Sequence, residues 1–129
     1  MDERERYERG LAVRREVLGE EHVARALGRA GPLDAEFQDL ITRYAWGEIW
    51  TRPGLGRRER SLVTISMLMA LRHWNEFVLH LKAARRNGVT LEEIREVLMQ
   101  GAIYCGVPTA NHAFALARET FGEELSGGA

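Results

Sequence analysis

Three ionisable side chains, His73, Glu76 and His80, recur at i, i+3 and i+7 and so fall on one stripe of a helix. An imidazole and a carboxylate one turn apart can tune each other's protonation, which is useful for general acid–base work near neutral pH. The plainer alternative is a solvated i, i+4 pair of little energetic weight. The pattern H-x-x-E-x-x-x-H also invites a divalent ion, but three ligands along one straight helix span too long an arc, and no metal is expected. His80, between Leu79 and Leu81, is the residue best suited to act as general acid or base; otherwise it is a helix-surface histidine bonded to a neighbour.

Glu48 is out of place. Phe37, Leu40, Ile41 and Tyr44 set an apolar helical face, and Glu48 lies on its continuation, three turns after Phe37. A carboxylate on an apolar stripe sets pattern against chemistry, and such conflicts gather at functional sites; the alternative is a helix-end carboxylate reaching solvent. Arg52 follows in the turn Thr51-Arg52-Pro53-Gly54, either as a site residue on a loop or as a surface charge. Arg60 stands at the polar start of an apolar helix, able to bind an anion or to satisfy an internal acid, while Arg57 and Arg58 read as solvated. Trp46, Trp50 and Trp74 can wall a pocket, although most buried aromatics are simply core. His112, in the first turn of a helix, is expected neutral, because the helix dipole opposes its charged form. Cys105 reads as a small buried hydrophobe.

The elements that must position these groups are helices. The stretch Leu62–Leu71 is apolar nearly all round, which predicts a helix buried on every side. After a break near Arg72 and His73, Trp74, Phe77, Val78 and Leu81 give the single apolar face of an amphipathic helix that stops at Asn87-Gly88. Upstream, helices are expected over about Glu3–Leu18 with a thin apolar stripe, over Glu20–Leu27, and from an Asp34 cap to about Trp50. Downstream, Thr90-Leu91-Glu92-Glu93 is a capping box with Val89 as its staple, and Pro108 opens a last helix at its first position. Nothing reads as a strand. The expectation is an all-α domain of five to seven helices over residues 1–125, with 126–129 as a disordered tail.

Composition narrows the partners. The 129 residues carry a net charge of −1, with Lys82 as the sole lysine, so there is no basic excess for nucleic acid and no basic anchor for a membrane. The longest apolar run is broken by Thr64 and Ser66, short of a membrane span. A single cysteine allows no internal disulfide, and a charged N-terminus offers no signal peptide, so a cytoplasmic location is expected. Apolar and aromatic residues beyond what one small core absorbs point to an oligomer.

The segments WGEIWTRPGLGRRERSL and LRHWNEFVLHLKAARRNGVTLEEIREVLMQGAIYCGVPTANHAFALARE closely resemble the γ-carboxymuconolactone decarboxylase family. That resemblance, running from about Leu11 to Phe121, implies an all-α protomer of the alkylhydroperoxidase-like type in a ring-like homohexamer. The peroxidase branch of this wider group carries C-x-x-C-x-x-x-H with a glutamate about three turns upstream. Here the cysteine positions hold His73 and Glu76, the glutamate position holds Ser61, and only His80 is kept. Without a thiol pair, peroxide reduction by that route has neither attacking nor resolving sulfur, and Cys105 is too poorly placed to stand in.

The lyase branch implies decarboxylation of 4-carboxymuconolactone, or a closely related carboxylated lactone, to 3-oxoadipate enol-lactone in aromatic (protocatechuate) catabolism. The electron pair left by carbon dioxide spreads through the ring double bond onto the lactone carbonyl, so the substrate is its own electron sink and no cofactor is expected. The protein must grip a dianion, favour the developing oxyanion and deliver one proton. On this reading His80, Glu48 and Glu76 are catalytic. Arg52 and Arg60 bind substrate, with Trp50, Trp74 and Tyr104 around it, the last offering its hydroxyl to the oxyanion unless it is core. A diverged redox protein and a non-catalytic small-molecule binder are the alternatives.

Overall fold

The computed structural model describes residues 1–127. Those residues form α1 (Glu3–Leu18), α2 (Glu20–Arg29), α3 (Ala35–Ile41), a π-helical segment (Thr42–Ile49), α4 (Arg57–Leu71), α5 (Trp74–Arg86), α6 (Leu91–Tyr104), α7 (Val107–Thr120) and α8 (Gly122–Gly127), with no strand among them. The all-α expectation holds, with more helices than the five to seven anticipated. The chain divides into two compact units, Met1 to Arg57 and Arg58 onward. None of the described helices is long and apolar enough to cross a membrane.

In the first unit, Asp2 caps α1 by accepting from the Glu5 N–H at 2.8 Å. α1 buries Gly10, Val13, Arg14, Val17 and Leu18 and packs along the π segment. The contact is backbone to backbone. A β-carbon on Gly10 would land on the Thr42 carbonyl oxygen, and one on Gly47 would sit 2.5 Å from the Arg6 carbonyl oxygen. Only glycine permits that approach.

The π segment changes which residues face inward. Its ladder ends with the Trp50 N–H donating at 3.0 Å to the Ala45 carbonyl, five residues back. Each such turn takes up one more residue than an α-turn, so the α-helical count of three turns from Phe37 to Glu48 fails. Thr42, Trp46 and Gly47 are the buried residues, whereas Phe37, Leu40, Tyr44 and Glu48 are exposed. The apolar face assigned to Phe37, Leu40 and Tyr44 is therefore not a core face, and Glu48 does not continue one.

The second unit holds one core, in which Ile65, Met69, Phe77, Leu81, Leu98 and Ala113 are almost fully enclosed. Each large apolar side chain among them stabilises the fold by about 1.5–3 kcal/mol. α4 contributes a single line, Ser61, Ile65 and Met69. Val63, Met67 and Leu71 are exposed, which corrects the all-round burial expected for this helix. Its apolar second side is exposed.

The break between α4 and α5 is a Schellman turn. His73 N–H donates to the Leu68 carbonyl at 2.9 Å and Arg72 N–H to the Met69 carbonyl at 3.0 Å, with Arg72 in the left-handed region at φ 58°. α5 ends the same way around Gly88. The capping box forms as read: Glu93 N–H donates to Thr90 Oγ1 at 3.1 Å and Thr90 N–H to Glu93 Oε1 at 2.9 Å, beside a fully buried Val89. Pro108 occupies the second rather than the first position of α7. Ser126 and Gly127, assigned to the tail, fall in α8, and residues 128–129 of that tail lie outside the described residues.

Candidate active site

Within the second unit, α5 presents His80 beside its buried face of Phe77 and Leu81. The ring is half-buried and its Nδ1 is shut off from solvent. An imidazole enclosed on one edge has limited freedom to reorient, which suits directed proton transfer. Arg60, in the first turn of α4, is likewise half-buried with its Nε enclosed. It precedes Ser61, whose buried hydroxyl accepts from Asn87 Nδ2 at 3.0 Å and ties α4 to the end of α5.

The helical stripe read from the sequence is interrupted. His73 stands outside α5, at its N-cap with φ −86° and ψ 78°, and is exposed. Glu76 is exposed on the first turn of α5, where any contact with His80 would be solvated. Among the described residues, no group of three or more His, Cys, Asp or Glu side chains is placed to hold a metal ion. Trp74 is half-buried between Phe77, in an edge contact at 5.4 Å, and His112 at 4.5 Å.

Tyr104 is not core, being 84% exposed. It lies at the rim of an apolar cavity of about 310 Å³ between α4 and α6, lined also by Met67, Met69, Val97, Gly101 and Cys105. His80, Arg60, Glu76 and Trp74 are not in that lining. Cys105 is half-buried there rather than sealed in the core. Arg57 and Arg58, read as solvated, are ion-paired, Arg57 with Glu16 at 2.5 Å and Arg58 with Glu59 at 2.9 Å and with Glu93.

Within the first unit, the π segment and the turn after it carry the remaining candidates. Trp46 is buried and stacks on Trp50 with centroids 5.0 Å apart. Thr51 Oγ1 donates to the Gly47 carbonyl at 2.9 Å, and the Arg52 N–H donates to the Ile49 carbonyl at 3.1 Å, folding the exposed Arg52 back over the end of the segment. Glu48 is ion-paired with Arg6 of α1. In this pairing the Glu48 carboxylate accepts from Arg6 Nη1.

The pairing belongs to a larger network. Glu3 accepts from Arg6 Nε at 3.2 Å, Arg43 Nη1 at 2.7 Å and Tyr44 Oη at 2.8 Å, and Arg43 Nε also reaches Asp39 at 3.1 Å. The Tyr44 hydroxyl, then the two guanidinia, pull the Glu3 carboxyl down to about 2. Arg6 and Arg14 are not among the site candidates that the sequence offers, yet with Gly10 they form an i, i+4, i+8 line along the α1 face that meets the π segment. That spacing was the available signal.

The sequence profile described as the carboxymuconolactone decarboxylase family matches residues 35–119. A 4-carboxymuconolactone decarboxylase of Acinetobacter baylyi is 47% identical over 121 residues, covering 94% of this chain and 90% of the relative. Nitrosuccinic acid decarboxylase npaB of Metarhizium robertsii is 41% identical over 122 residues, covering 95% of this chain and 85% of the relative. A 4-carboxymuconolactone decarboxylase of Pseudomonas putida is 50% identical over 48 residues, 37% of this chain and the whole of that sequence. The chain belongs to the carboxymuconolactone decarboxylase family.

Proposed function

We propose that this chain is a cofactor-independent 4-carboxymuconolactone decarboxylase. The observation that carries the proposal is the 47% identity to a relative of that name across 94% of the chain. The chemistry agrees with the side chains present. The bond from the ring carbon to its carboxylate breaks, carbon dioxide leaves, and the electron pair moves through the double bond onto the lactone carbonyl oxygen. A proton is then added at the ring carbon next to that carbonyl, giving the enol-lactone.

Roles are assigned residue by residue. His80 delivers the proton, since its ring is half-buried with Nδ1 enclosed and imidazole is a common general acid. Arg60 and Arg52 suit carboxylate recognition through their planar forks. Glu48, as a paired carboxylate, contributes as an acceptor that orients a donor. Trp50 and Trp74 supply apolar walls. Glu76 and Tyr104, both exposed, support this scheme least.

The similarity to a nitrosuccinic acid decarboxylase favours a second substrate class on the same chemistry. A carboxylate next to a nitro group also leaves an electron pair that its own substituent absorbs, as a nitronate. The common requirement is a dicarboxylate with a built-in electron sink.

We also propose a cytosolic homo-oligomer. Ile103, Tyr104 and Val107 are 81%, 84% and 63% exposed around the α6–α7 junction, an apolar group that self-association would cover. Hexamer is the state the family resemblance implies, and light scattering on the purified protein measures it.

The deciding experiment incubates purified protein with 4-carboxymuconolactone and, separately, with nitrosuccinate, and follows carbon dioxide release. Rapid release from the lactone is expected. Release only from nitrosuccinate moves the activity to the second class, and release from neither ends the decarboxylase reading.

A further inference from the structure

We propose that Arg6, on the N-terminal helix, is a positioning residue for Glu48; the proposal rests on the reading that Glu48 takes part in decarboxylation. Glu48 lies on the exposed side of the π segment, where a glutamate left alone samples many rotamers. Arg6 removes that freedom. Its side chain is 18% exposed, and its fork is divided, with Nη1 on Glu48 and Nε on Glu3 at 3.2 Å.

Arg6 is itself held. Glu3 is fixed by Arg43 at 2.7 Å and by the Tyr44 hydroxyl at 2.8 Å. The Tyr44 ring lies 5.2 Å from the Arg6 guanidinium and 5.3 Å from that of Arg43, within cation–π range of both. Charges therefore alternate along Asp39, Arg43, Glu3, Arg6 and Glu48, and Glu48 is the terminus of the chain. The backbone fixes the same register, because the Arg6 carbonyl lies against Gly47, the residue before Glu48. A helix that carries no reacting group is thus built to aim one on its neighbour.

The test compares kcat and KM for 4-carboxymuconolactone in wild type, Arg6→Gln, Arg6→Lys, Glu48→Gln and the Arg6→Gln/Glu48→Gln double variant, with a melting curve for each. Misplacement of a working group by about 1 Å costs on the order of 10²-fold. Arg6→Gln is therefore expected to lower kcat about tenfold or more with little change in KM, and Arg6→Lys to recover part of the loss. The double variant should match Glu48→Gln alone, which a merely structural role would not produce. Wild-type kcat in Arg6→Gln beside an impaired Glu48→Gln overturns the proposal, as do losses that multiply in the double variant. Wild-type kcat in Glu48→Gln instead removes Glu48 from the reaction, and Arg6 with it. Should Arg6→Gln not fold, Arg6→Lys decides alone: a kcat loss at constant KM supports positioning, and an unchanged kcat overturns it.

Discussion

Arg14, a residue only 4% exposed, donates from Nη1 to Thr42 Oγ1 at 3.0 Å. Its Nη2 donates to Gln38 Oε1 at 2.9 Å, and its Nε is buried without a hydrogen bond. Both of these partners are neutral, so the dipoles of Thr42 and Gln38 hold a desolvated cation at the point where α3 becomes the π segment. Removing the charge and removing its partner should then have opposite outcomes. Arg14→Met keeps the volume, and Thr42 Oγ1 stays satisfied through its 2.7 Å bond to the Gln38 carbonyl. That variant is expected to be neutral or more stable, as for other buried charges replaced by apolar groups. Thr42→Val leaves the cation in place with one bond fewer and should cost about 1.5–3 kcal/mol. Urea unfolding of both variants measures the contrast. His22 gives a second readout. Burial first, and then the charges of Arg14, Arg25 and Arg29, lower its pKa, so it should titrate at higher pH in Arg14→Met, seen by its ring proton shifts.

The close approach of α1 and the π segment sets the second expectation. In an exposed helix Gly→Ala gains about 1 kcal/mol of propensity. At Gly10 the added methyl meets the Thr42 carbonyl and at Gly47 the Arg6 carbonyl, both backbone atoms that cannot swing aside. Overpacking costs about 1–3 kcal/mol, occasionally more, and outweighs the gain. Gly10→Ala should be the worse of the two, losing stability and helical circular dichroism, whereas Gly28→Ala, in the exposed end of α2 with open space around it, should show the propensity gain without the clash.

Glu3 makes the first unit sensitive to acid. Its folded-state pKa is depressed from 4.5 to about 2, chiefly by the Tyr44 hydroxyl bond and then by Arg43. A depressed carboxyl supplies its stabilisation fully above the unfolded value and loses it as pH falls through the folded one. The melting temperature of wild type should therefore exceed that of Glu3→Gln at neutral pH, and the gap should close between pH 4.5 and about 2. Added salt should narrow the gap at neutral pH, because the group is exposed and screened. A gap that is flat across this window would show that the network does not stabilise the fold through Glu3.

Arg72 is the one described non-glycine residue at positive φ. The left-handed conformation costs an ordinary residue roughly 1–2 kcal/mol, and glycine escapes it at the expense of a more flexible unfolded chain. Arg72→Gly should raise stability by about 0.5–1 kcal/mol net. Since Arg72 adjoins His73 rather than His80, turnover should not change, and a combined melting and rate measurement checks both.

The division between what could be read in the sequence and what could not has a physical basis. The α4–α5 break, the Gly88 stop and the Thr90 box follow from residues within one turn of each other, and each was legible. The π segment was not, because its contacts run to Gly10 and Arg14, more than 25 residues away, and an α-helical count does not hold over Phe37–Glu48. That count placed Glu48 on an apolar face and hid its partner Arg6. For α4 the pattern was read correctly as apolar on all sides, but burial also requires something to cover it, and Met67 and Leu71 remain 59% and 64% exposed. Of the candidate site, the position of His80 on an amphipathic helix survived best, since α5 obeys the period that was assumed.

His80 is accordingly the residue whose removal should tell most about the reaction. The side chain is half-buried beside the core rather than in it, so His80→Ala should fold, with a melting temperature close to that of wild type and the same mass by light scattering. General acid catalysis contributes typically 10²–10⁴-fold, and kcat should fall by roughly that factor. If the imidazole donates the proton to the ring carbon, the lost step is protonation after carbon dioxide departs, not substrate binding, and KM should change little. His80→Gln separates shape from chemistry, because it keeps a hydrogen-bonding side chain but has no proton to give near neutral pH. Equal losses in His80→Ala and His80→Gln identify proton delivery as the role. Recovery in His80→Gln reduces His80 to an orienting group, and wild-type turnover in both removes it from the mechanism.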